Sequence, residues 1–95
     1  MLFRSDPEPN SISLAQAVIG EELMGNVSVY NEATPLLNDP RVDAVIIASP
    51  NHTHADVLRL ALRSGKHILC EKPLATELDD ALEIRAAASR YQGVF

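Results

Sequence analysis

Tryptophan is absent from this chain, aromatic residues of any kind number four, and there is one cysteine, Cys70. A lone thiol cannot close an internal disulfide, so no covalent staple holds the fold, and the expected compartment is a reducing one, the cytoplasm. No apolar run approaches the eighteen or so residues of a membrane span. No basic start followed by an apolar stretch reads as a secretory leader, so a membrane is not an expected partner. Positive charge is also scarce: eight Lys and Arg stand against thirteen Asp and Glu, for a net charge of −5. That balance argues against nucleic acid, whose binding depends on neutralising phosphates. Glycine is short too. The four glycines, at positions 20, 25, 65 and 93, never form the Gly-x-Gly-x-x-Gly turn with which a dinucleotide-binding domain opens.

What is present is ordinary in bulk and specific in pattern. Ninety-five residues, 46% hydrophobic and 22% charged, allow at most one small soluble domain with little more than a minimal core. Asn10 or Ser11 can cap a helix running to about Met24, with Ile12, Ala15, Val18, Ile19 and Leu23 on one face and Gly25-Asn26 as the stop. Val27–Tyr30 reads as a short strand. Thr34 and Pro35 can begin one helical turn, Pro35–Asn38. Val42–Ser49 is apolar without alternation, as in a strand covered on both faces. His54–Ser64 follows as a helix closed by Gly65 in the left-handed conformation. His67–Cys70 is a second strand. Thr76 caps a last helix to about Tyr91, its first turn carrying Glu77, Asp79 and Asp80 near the positive end of the dipole, and Gly93-Val94-Phe95 opens another strand.

Strand, helix and strand between residues 42 and 73 make a βαβ unit, whose crossover is almost always right-handed. Both strands then run parallel and deliver their carboxyl ends to one sheet edge, where open α/β sheets bind ligands. Pro50, Asn51 and His52 end the first strand, and Glu71, Lys72 and Pro73 end the second. About twenty positions separate the two groups in the chain, yet topology makes them one candidate site. A lysine there presents an ammonium to the cleft, able to hydrogen-bond a hydroxyl and stabilise an alkoxide. The Asn51 amide can both donate and accept, although it or Thr53 could equally cap the next helix. Glu71 can accept from hydroxyls or pair with Lys72. His52, His54, His67 and Cys70 are metal-ligand types, but His67 and Cys70 sit at opposite ends and faces of one short strand, so no metal site is expected.

The same stretch resembles the Gfo/Idh/MocA family of nicotinamide-dependent oxidoreductases. The resemblance rests on Asp39-Pro40-Arg41-Val42-Asp43-Ala44-Val45-Ile46-Ile47-Ala48-Ser49-Pro50-Asn51, on His54, on Ala61 to Gly65-Lys66-His67 and on Glu71-Lys72-Pro73. It covers roughly Asp6 to Phe95, the middle of one domain of a family whose members are several times longer. It implies an α/β fold: a partial Rossmann-type parallel sheet lacking the first strand and its glycine-rich turn, with the substrate domain also outside residues 1–95. Residues 1–5 are open to two readings: all five as a non-native start, or Met1–Arg4 as a remnant of the second strand. The cofactor implied is NAD or NADP, and the substrate a sugar, cyclitol or similar polyhydroxy compound, in a homo-oligomeric parent. Lys72 matches a catalytic or cofactor-orienting lysine of the family. Pro50, Asn51, His54, Glu71, Lys72 and Pro73 then face the cofactor, and Asp6, after the second strand, can bind the adenosine ribose. The family's acid/base histidine lies in the substrate domain, so none of His52, His54 and His67 inherits that role. The rival reading is a non-catalytic Rossmann-like binding or regulatory module.

Overall fold

The structure is a computed structural model that describes residues 2–95. The chain forms two compact units, one ending at Asp39 and the other spanning Pro40–Phe95. Each holds its own two-stranded parallel sheet. β1 (Leu2–Ser5) pairs with β2 (Val27–Tyr30), and β3 (Ala44–Ile47) pairs with β4 (His67–Cys70). β2 and β3 follow one another in the chain yet belong to different sheets. Within each unit, parallel strands joined through helices make an α/β arrangement.

In the first unit, α1 (Pro9–Ile19) starts with proline at its first position, where the missing N–H costs nothing. The helix expected to run to Met24 stops at Gly20, whose φ of 84° takes the chain out of the helix. A short α2 (Glu21–Met24) follows. Val18, Ile19 and Leu23, expected on a buried face, are exposed. Two four-residue strands and one short helix offer this unit too little apolar surface to cover them. α3 (Ala33–Asn38) begins two residues before Pro35, with Glu32 rather than Thr34 at the cap position. It buries Leu37, and the Tyr30 hydroxyl donates to Asp39 Oδ2 at 2.6 Å.

The second unit is a βαβ unit backed by one more helix. α4 (His54–Ser64) packs on β3, β4 and α5 (Leu78–Ala88). Leu58 and Ala61 are fully buried, with Val42, Val45, Ile47, Ala55, Ile68 and Ile84 around them. Gly65 closes α4 at φ 77°, as its position predicts. α5 starts after Glu77, and Thr76 supplies no side-chain cap. The strands depart from expectation in one respect: β3 and β4 are buried on one face only. Ile46 and Leu69 are 72% and 61% exposed, because both helices of this unit that contact the sheet or its covering helix lie on the Val45–Ile47–Ile68 side. At the amino ends of the strands the Lys66 ammonium donates to Val42 O at 2.6 Å, and the Tyr91 hydroxyl donates to Lys66 O. Ile68 N donates to Val94 O at 2.8 Å, so the chain after Gly93 runs beside β4 as a further strand would.

Candidate functional site at the carboxyl edge of β3 and β4

β3 and β4 pair in the register Ile47↔Cys70, and Glu71 N donates to Ile47 O at 2.9 Å. The ladder ends there. Ser49-Pro50-Asn51 leaves one strand and Glu71-Lys72-Pro73 leaves the other at the same edge, as the topology required. Asn51–Thr53 forms one 3₁₀ turn leading into α4. Thr53 Oγ1 donates to Pro50 O at 2.7 Å and hydrogen-bonds Ser49 Oγ at 2.7 Å, bracing the corner from beneath. Neither Asn51 nor Thr53 caps the helix through its side chain. The Asn51 amide therefore remains available.

His54 joins the two halves. Its ring is 1% exposed, with Nδ1 2.6 Å from Pro73 O and Nε2 2.7 Å from Ser49 O. One imidazole thus spans the ends of both strands. His54, expected to face the cofactor, is buried, with both ring nitrogens at hydrogen-bond distance from backbone carbonyls. No motif signals this, because both partners are backbone atoms brought together only by the fold.

Pro50, Asn51, His52, Glu71 and Lys72 are exposed above this bridge, and Pro73 is half-buried. The Lys72–Pro73 peptide bond is cis. Among the described residues the side chains of Asn51, Glu71 and Lys72 make no hydrogen bond or ion pair, so Glu71 and Lys72 do not pair with each other. An amide, a carboxylate and an ammonium therefore stand open at one corner. Cys70, just below, is half-buried with Sγ 3.3 Å from Glu71 O. Burial, and then the Glu71 carboxylate, push its thiol up from the ordinary value. Asp6 belongs to the first unit. Its carboxylate accepts from Arg4 at 2.8 Å and from Glu8 N at 2.9 Å. These two bonds, Arg4 first, hold it below the usual carboxylate range.

An open amide, carboxylate and ammonium at the carboxyl ends of parallel strands can donate to and accept from a polar ligand. Residues 10–95 match the Gfo/Idh/MocA oxidoreductase family with the NAD-binding Rossmann fold. The chain belongs to that family. It is 51% identical over 59 residues to the 1,5-anhydro-D-fructose reductase of Ensifer adhaerens, an alignment spanning 62% of this chain and 17% of that protein. It is 37% identical over 60 residues to the myo-inositol 2-dehydrogenase of Thermotoga maritima, covering 63% of this chain and 18% of that one. Among solved structures, an NAD binding oxidoreductase from Klebsiella pneumoniae superposes with a TM-score of 0.76 at 33% identity, over 98% of this chain and 23% of its own. A levoglucosan dehydrogenase in complex with NADH and levoglucosan gives a TM-score of 0.79 at 28% identity, over 98% and 24%. The chain therefore spans less than a fifth of these curated relatives and about a quarter of these solved chains.

Proposed function

We propose that residues 1–95 are an interior part of the nucleotide-binding domain of an NAD(P)-dependent dehydrogenase acting on a sugar, cyclitol or similar hydroxyl compound. The observation that carries this reading is the meeting of Asn51, Glu71 and Lys72 at one sheet edge, held together beneath by His54. The relatives named above, a reductase of an anhydro sugar and a dehydrogenase of an inositol, support the substrate class. The single cysteine supports a reducing compartment, the cytoplasm. The pyrophosphate half of the dinucleotide has no cradle here, since none of the four glycines forms its turn. A homo-oligomeric parent is part of the same reading and rests on the family resemblance.

At the corner each group has one task. Glu71 accepts hydrogen bonds from ribose hydroxyls. Asn51 meets an amide that both donates and accepts. Lys72 donates to the oxygen of the substrate's reacting carbon and stabilises the negative charge that grows there as hydride leaves. Nicotinamide, when bound, supplies the carbon that takes or gives the hydride. Lys72→Ala in the full-length protein should lower kcat by about 10²-fold, the scale of one lost electrostatic donor, and weaken dinucleotide binding far less. Steady-state kinetics beside cofactor titration checks this. Wild-type turnover in Lys72→Ala would sink the assignment.

A further inference from the structure

We propose that His54 is a positioning residue that sets the spacing between the Pro50-Asn51 and Glu71-Lys72 halves of the corner, a proposal that rests on the reading of Lys72 given above. Three observations carry it. The ring is planar and rigid, so the two carbonyls it holds, Ser49 O at 2.7 Å and Pro73 O at 2.6 Å, are kept at one separation. Ser49 stands two residues before Asn51, and Pro73 directly follows Lys72, so little chain separates each held atom from the group it places. The ring itself cannot drift: it sits in the first turn of α4, whose Ala55, Leu58 and Ala61 are buried in the core.

Hydrogen-bond accounting adds a chemical requirement. A carbonyl only accepts, so a ring nitrogen bonds it only as a donor. A phenyl ring of nearly the same volume would keep the packing and make neither bond. A glutamine could reach one carbonyl but, lacking donors at opposite ends of a rigid ring, could not hold two. The side chain thus acts through Lys72 and Asn51 without touching a ligand.

The full-length protein, labelled with ¹⁵N and ¹³C, tests the bridge without any turnover. A His54 ring N–H protected from exchange is expected. His54→Phe and His54→Gln should each shift the backbone amides of Asn51 and Lys72 together while those of Arg85–Ala87 on α5 stay in place. A ring nitrogen open to solvent, or unchanged Asn51 and Lys72 amides in both variants, would overturn the proposal. In the full-length protein, His54→Phe should lower kcat by about tenfold to 10²-fold, the scale of a misplaced catalytic group, with His54→Gln in between. KM for the dinucleotide should stay within about twofold, since misplacement acts at the transition state. A raised KM with unchanged kcat would overturn the positioning role. Lys72→Ala run alongside separates the two ideas: wild-type turnover there removes the catalytic reading alone, while the ring N–H still reports on the bridge.

Discussion

Cys70 shows how one residue's chemistry is fixed by its seat at a strand end. Burial and the neighbouring Glu71 carboxylate both disfavour its thiolate, which is the reactive form. At neutral pH, iodoacetamide should therefore alkylate Cys70 several-fold more slowly than it does a free thiol, and Glu71→Gln should speed the reaction modestly. Timed mass spectrometry reads the rate directly; labelling as fast as that of a small free thiol would contradict it. The open corner was legible in the sequence because a strand's end is marked by where its apolar run stops. Pro50-Asn51 and Glu71-Lys72 are such stops, and the βαβ handedness puts them on one edge. The partners of His54 were not legible. Its two acceptors are backbone atoms at Ser49 and Pro73, and no residue pattern announces a bond to a carbonyl brought near by tertiary packing.

Arg59 on α4 reaches Asp56 on its own helix and Asp80 and Glu83 on α5, tying the two helices across their exposed side. The hydrogen bonds from Arg59, and then its charge, hold the Glu83 carboxyl below its usual range. A carboxylate depressed in the folded state stabilises above its unfolded value and loses that contribution as pH falls through its folded one. The thermal midpoint should therefore be flat above about pH 4.5 from this source and fall on acidification below it. In Glu83→Gln that acid-side slope should be shallower, with little difference between the proteins in high salt, because the pair is exposed and screened. Superimposable pH profiles for the two proteins would remove the carboxylate from the explanation. Helix α4 and its stop at Gly65 were readable because period and terminator agree. The first helix was misjudged where they conflict: the apolar period runs on past Gly20, but that glycine adopts positive φ and breaks it. Thr34 and Thr76 look like caps, yet the helices start after Glu32 and Glu77. A cap's identity depends on where the chain enters the helix, which propensity alone does not fix.

At the scale of the whole chain, the parallel α/β class was legible from alternating strands and helices, whereas the exposure of Ile46 and Leu69 was not. An apolar run says that a strand can be covered twice, and not that this chain supplies both covers. β3 also has β4 as its one paired neighbour among the described residues, which leaves unpaired N–H and C=O groups along its other side. The isolated chain should therefore self-associate, with sedimentation coefficients that rise with concentration, and Ile46→Lys should shift it toward monomer. A monodisperse monomer at all concentrations would refute the edge argument. Calorimetry with NAD or NADP should show nothing tighter than about millimolar, roughly −4 kcal/mol, for want of a pyrophosphate cradle. The seam at the opposite end of β3 and β4 bears on accuracy as well. A one-step slip of β4 along β3 would turn Ile68 away from α4. The Lys66 ammonium on Val42 O links the two strands at their amino ends, and the Tyr91 hydroxyl on Lys66 O ties the second of them to the chain after α5. The first of these bonds works as a gauge: from the far end of the sheet it favours the alignment in which Glu71 N meets Ile47 O and Lys72 follows.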